Sequence, residues 1–315
     1  MIHHFYFALH TLTGPLDWAD AARDWTGFLG IFAMVGAIGF RVLVLARLTP
    51  QIRSGPELES REAVLNRATA NAALVGAIGV LIFAVTFLAS LADADADAGG
   101  EPGGMSPIVS GVVFLVTLIG FILSRLTARR DGTAGWYLAA LGVLCIVFGD
   151  SVMPLSHGHW PAIINPLHVF GGSLWLGTLF VLVVAGLPAV LHQSTSHEHR
   201  GPLTADLVNA FSPVALCSAT LLVLTGVITA WRHLKYLSAL WTTSYGQALI
   251  VKLCLVAIVL ALGAWNWRRM RPTLGDESAA HAIRRSASAE LAFATAVLIV
   301  TAILVNLPTP KVPVP

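Results

Sequence analysis

The stretch GDSVMPLSHGHWPAIINPLH gathers a carboxylate (Asp150), a thioether (Met153) and three imidazoles (His157, His159 and His168) in an otherwise apolar part of the chain. Imidazole serves copper, zinc, iron and nickel, whereas a thioether selects Cu(I) over hard cations, so copper suits this set best and zinc comes second. The competing reading is an interfacial loop without metal, because aromatic and amphipathic side chains such as Trp160 favour headgroup depth. His168 separates these readings better than the loop pair does. Pro154 marks the end of one helix, and Asn165-Pro166 reads as the N-cap and first residue of the next, which puts His168 in its first turn. A histidine on a membrane helix is costly when charged and turns toward protein or a water-filled cavity. Trp175, seven residues on, falls on nearly the same face, and Gly171, Gly172 and Gly177 permit close helix approach.

The elements that must carry these residues are membrane spans. Of 315 residues, 56% are hydrophobic and 11% charged, far from the roughly one-quarter charged composition of a soluble domain. Eight runs are long enough to cross about 30 Å of hydrocarbon. They lie near 25–46, 68–92, 107–126, 134–154, 165–187, 208–231, 246–267 and 288–307. The expected fold is all-α, a polytopic bundle of about eight spans embedded in a lipid bilayer. Its parts are an interfacial segment (1–24), a four-span half (25–162), a second four-span half (163–308) and a short tail (309–315). The first segment has no basic leader and is interrupted by Pro15, so it does not read as a cleaved signal peptide. Cys145, Cys217 and Cys254 fall singly within apolar runs, which favours buried small residues over disulfides or a thiolate metal site.

Fourteen of the nineteen Lys and Arg residues flank the connections after spans one, three, five and seven. The positive-inside rule makes that side the cytoplasm. Both termini, the histidine stretch and the acidic loop LADADADAGGEPGG then face the periplasm of a bacterial inner membrane, the loop as a solvated linker. No feature suggests nucleic-acid binding. Lys252, about two turns below the outer end of span seven, is expected to snorkel outward or to pair with Asp150. Asn71 and Asn209 either join helices or line a path. Asn266, Arg268 and Arg269 lie at the membrane depth of Glu290, so a pair between Glu290 and one of the arginines would lock spans seven and eight. On the inner side, His192, His197 and His199 of HQSTSHEHR form either a metal exit or a solvated linker.

LHVFGGSLWLG, from Leu167 to Gly177, resembles the signature of the CopD family of bacterial copper-resistance membrane proteins. The stretch NAFSPVALCSATLLVLTGVITAWRHLKYLSALWTTSYGQALIVKLCLVAIVLALGAWNWRR resembles that family's C-terminal half. Matching positions include Phe211-Ser212, Thr225-Gly226, 237–240, Tyr245-Gly246, Lys252, Asn266 with the arginines after it, Glu290 and 305–308; Arg41 after a glycine-rich run resembles the family's first helix. The resemblance is sharpest over 163–308. It implies copper import or copper handling across the inner membrane, with His168 the leading ligand and His157 and His159 in support; Met153 and Asp150 join the candidate metal set by their place in the same hairpin. It also implies a periplasmic copper-binding partner; residues 1–24 are too short for such a domain, so the partner is expected to be a separate protein. No nucleotide-binding loop, Ser/His/Asp set or HExxH motif occurs, and the chain is not expected to be an enzyme. Two rivals remain. One is a b-type cytochrome, which needs a second imidazole at the depth of His168, from a loop or from His3, His4 or His10; the other is a scaffold that hands copper on without moving it across.

Overall fold

The computed structural model describes residues 17–48, 58–96, 105–130, 132–193, 200–234, 236–270 and 277–310. The readings made for His3, His4, His10, His197, His199 and most of the acidic loop lie outside these residues, as do the side chains of His192, Asn266 and Arg269. Hydrocarbon offers no partner for a free backbone N–H or C=O, so a spanning segment must satisfy its own, and every described span is helical. The helices are α1 (Trp18–Leu48), α2 (Leu58–Ala96), α3 (Pro107–Leu126), α4 (Ala134–Ser156), α5 (160–193), α6 (Arg200–His233), α7 (Ser244–Met270) and α8 (Glu277–Val305). All eight are long and apolar enough to cross a membrane.

Their ends run past the apolar cores read from sequence, because short polar extensions cap and tie them at the surface. α1 starts at Trp18, where the Asp17 carboxylate accepts from the Ala19 and Asp20 amides at 2.8 and 3.4 Å. Arg23 pairs with Asp20 at 3.2 Å and with Asp93 on α2. Asn306, just past α8, donates to Asp24 at 2.8 Å. These bonds gather the start of α1 and the ends of α2 and α8 at one end of the bundle, which also carries His157, His159 and His233 and is called here the histidine end. The opposite end carries Arg47, Arg67, Arg125, Arg129 and Arg268. Exposed Trp18, Trp160, Trp231 and Trp241 mark the first, and exposed Tyr137 and Trp265 the second, the two-belt pattern of amphipathic rings at membrane interfaces.

Two helix boundaries differ from the sequence reading. Pro154 does not end α4, which continues to Ser156; a proline in the last turn removes a single helical bond, and the chain turns only at Gly158, whose φ is +79°. Nor does Asn165 cap α5. A 3-10 turn, Trp160–Ile163, feeds directly into the α-helix at Ile164, and Pro166 falls among the first amides, which lack a helical acceptor in any case. His168 therefore lies one turn deeper in helical structure than the sequence suggests.

α1 and α5 form the centre. Their apolar windows are 56% and 67% buried, against 17–33% for the other six. They cross at Gly36 and Gly177, where a Cβ on Gly36 would fall inside the Gly177 backbone and one on Gly177 would strike the Phe32 carbonyl. Fully buried Met34, Phe40 and Leu182 fill the space around this crossing. Both central helices depart from α geometry nearby, with π-helical segments at Phe40–Leu45 on α1 and at Ser173–Gly177 and Leu182–Gly186 on α5. The cysteines are not the buried residues expected: Cys217 and Cys254 are exposed on the outer faces of α6 and α7, and Cys145 is half-buried. An aliphatic environment suits a thiol on the lipid side as well as in the core.

Gly177→Ala should force α1 and α5 apart and cost about 1–3 kcal/mol. Gly172→Ala, whose Cβ would make ordinary contacts at 3.4 Å, should cost little. Thermal melts of the two variants in detergent check the pair, and equal melting temperatures would show that the crossing does not limit stability.

Candidate functional site at the histidine end

His168 projects from α5 toward α6 and is half-buried. Its Nδ1 lies 3.1 Å from Thr225 Oγ1. That hydroxyl has one proton, which it donates to the Leu221 carbonyl at 2.7 Å, with Leu222 O also within reach at 3.2 Å. With that proton on Leu221, Thr225 accepts from His168, an arrangement that puts the imidazole proton on Nδ1 and the lone pair on Nε2. Gly226, the next residue, makes room for the ring, since a Cβ there would stand 3.0 Å from His168 Cε1. One turn along α5, Gly171 packs its bare face on Leu222 and Ser218. The imidazole is thus held by a hydroxyl on one side and by close helix packing around it. Lys252, half-buried on α7, lies within electrostatic range of it.

α6 extends this arrangement toward the surface. Thr225, Thr229 and His233 recur every fourth residue and share one helix face, spanning about 12 Å of helix. Thr229 Oγ1 is buried without a hydrogen-bond partner. His233 places Nδ1 2.8 Å from the Thr229 carbonyl and stacks on Tyr245 with ring centroids 6.1 Å apart. Sequence reasoning gave no role to Thr225, Thr229 or His233. Thr225-Gly226 was visible as a motif, but its partner is 57 residues away, beyond any local spacing rule.

The hairpin residues are distributed differently. Asp150 accepts from the Met105 amide at 3.2 Å and so tethers the start of α3 to the end of α4. It makes no ion pair with Lys252, the partnership offered as one alternative by the sequence. Met153 is 70% exposed. His157 folds its ring back, Nδ1 to the Met153 carbonyl at 2.9 Å, and His159 is exposed at the start of the 3-10 turn. Among the described residues no three His, Cys, Asp or Glu side chains gather in one metal-sized cluster.

Trp175 is buried, in a cluster with Val259 of α7 and Ala294 and Val297 of α8. It lies inside the π segment, and Ala215, Ala219 and Leu222 of α6 pack against the same cluster, so α6 adjoins both Trp175 and His168. Asn71 is half-buried and Asn209 exposed, and neither joins helices by a hydrogen bond among the described residues. Glu290 is buried and engaged in a polar interaction, with its carboxylate facing Gly263 of α7. Arg268 is exposed and forms no ion pair with it.

Residues 205–304, from α6 through α8, match the family model described as Copper resistance protein D, CopD. This range holds Thr225, Gly226, Thr229, His233, Lys252 and Glu290, though not His168. The chain is also 28% identical over 227 residues to the copper transport protein CutJ of Bacillus subtilis (strain 168), an alignment covering 68% of this chain and 38% of that protein. The chain therefore spans well under half the length of this curated relative. No solved structure gives a significant match. Eight helices long and apolar enough to span a membrane, with a match to the CopD model over residues 205–304 and the similarity to a copper transport protein, make this a multi-pass chain whose last three helices are similar to Copper resistance protein D.

Proposed function

We propose that this chain carries copper across the bacterial inner membrane in the import direction, without catalysing a chemical reaction. The family match and the similarity to a copper transport protein support copper-related membrane transport or resistance. The finer reading rests on one observation: His168 Nδ1 lies 3.1 Å from the Thr225 hydroxyl, and with the ring proton directed there Nε2 is available to a metal. A histidine ligand whose other ring nitrogen is tied to a fixed acceptor has its tautomer and orientation set in advance. Copper captured among the exposed His157, His159 and Met153, or delivered there by a periplasmic copper-binding protein, would meet His233 and Thr229 on the way to His168. Each station offers few ligands, as a carried ion requires: enough affinity to enter, not so much that it stays. Lys252 sets the electrostatic level of the site, because a positive charge there opposes a second cation and favours single occupancy.

Copper uptake into proteoliposomes tests this. His168→Ala should reduce uptake to near the protein-free rate, whereas the double variant His157→Ala/His159→Ala should retain part of it. Thr225→Val, which removes the acceptor while keeping the side chain's shape, should weaken uptake or binding roughly 10–100-fold, and Thr225→Ser should restore it. Gly226→Ala should act in the same direction by pressing on the ring. Uptake unchanged in His168→Ala would remove this site from transport. Copper binding without uptake would favour the handover scaffold, and a Soret band in the purified protein would favour the cytochrome.

A further inference from the structure

The arginine-rich end holds a second polar recess, independent of the copper reading. It has a volume of about 710 Å³ and is lined by Glu62, Asn66, Arg67 and Asn71 of α2, Arg125 of α3, and Arg129 in the 3-10 turn that follows. On α2, Asn66 and Ala70 line the middle of the recess, with Glu62 to one side and Arg67 and Asn71 to the other. Arg125 donates to the Ala70 carbonyl at 3.0 Å, fixing its guanidinium across the α2–α3 seam. Among the described residues no ion pair engages Arg67, Arg125 or Arg129, and Glu62 is the one carboxylate lining the recess. Three guanidiniums against one carboxylate leave an excess of two positive charges, with the Asn66 and Asn71 amides as further donors. Planar guanidiniums pair with phosphate oxygens through two parallel hydrogen bonds, and positive charge at a membrane surface attracts anionic headgroups.

The surroundings identify the source of the phosphate. Leu126 lines the recess and is largely exposed; from there exposed Ile122 continues along α3, and exposed Leu74 and Ile78 continue along α2 directly beyond Asn71. Both exposed apolar stripes lead from the polar recess into the membrane span. We propose that the recess binds the phosphate of an anionic phospholipid, whose acyl chains lie along the exposed faces of α2 and α3. Such a lipid would clamp α2 to α3 at the end where Arg125 supplies the visible tie.

Native mass spectrometry of the full chain released from neutral detergent, with added phosphatidylglycerol or phosphatidylcholine, tests this. The wild type should retain phosphatidylglycerol about tenfold more tightly than phosphatidylcholine. Arg67→Gln/Arg129→Gln should lose that preference, while Arg130→Gln/Arg268→Gln, which removes the same charge from the same end but outside the recess, should keep it. Equal retention of the two lipids would overturn the proposal. So would equal loss in both double variants, which would mean diffuse surface charge, or displacement of the lipid by inorganic phosphate at matched concentration, which would mean a soluble ligand. Melting curves of the variants in the absence of lipid separate loss of the site from loss of the fold.

Discussion

The backbone contact of α1 with α5 at Gly36 and Gly177 is the constraint on which the rest of the bundle depends. Within a bilayer the hydrophobic effect does not drive helices together, so association relies on van der Waals packing, and small residues allow the closest approach. The two most buried spans are the two that make this contact. The others surround them, α2 against α1 and α6 against α5, with α7 and α8 closing over Trp175. Moving the crossing apart would disturb the helices packed directly on it, α2 on α1 and α6 on α5.

The site inherits its geometry from that crossing. α6 meets α5 through Gly171, which sits one turn from His168 and two from Gly177, so the distance between the imidazole and Thr225 is set by the packing of glycine faces. The π segment at Ser173–Gly177 lies between the site and the deeper part of α5. A π turn places an extra residue in each turn and redirects the side chains beyond it; His168 meets Thr225 of α6, while the Trp175 cluster joins α7 and α8 to Ala215, Ala219 and Leu222 of the same α6. Cross-helix ties at the histidine end then hold the frame. Arg232 on α6 donates to the Pro161 carbonyl at 3.1 Å, and Ser151 on α4 donates to the Ala162 carbonyl at 3.2 Å, both at the entrance to α5.

Span number and approximate limits were legible because hydropathy over twenty residues is a strong signal, and a membrane leaves the backbone few alternatives. The close approach of Gly171 and Gly177 was legible for the same reason. Helix ends were less so: Pro154 and Asn165 carry local preferences for stopping and starting helices, and neighbouring helical turns override both. The hairpin histidines show the limit of composition as a guide. Imidazoles close in sequence satisfied a ligand count, yet His157 spends its Nδ1 on the Met153 carbonyl and Met153 faces outward. The polar partner of His168 comes instead from another helix, and a contact 57 residues apart leaves no periodic trace in one sequence.

The two ends of the molecule use nitrogen donors in opposite ways. At the arginine-rich end guanidiniums keep their charge under all physiological conditions, so that end can only attract anions or be neutralised by them. At the histidine end, a neutral His168 whose Nδ1 donates to Thr225 presents a lone pair on its remaining nitrogen. A lone pair that is bound to no fixed cation can be taken and given back, which a permanent charge pair cannot do without a large cost of separation. On the proposed readings the bundle combines an arginine cluster that anchors against anionic headgroups with an exchangeable nitrogen ligand in the span.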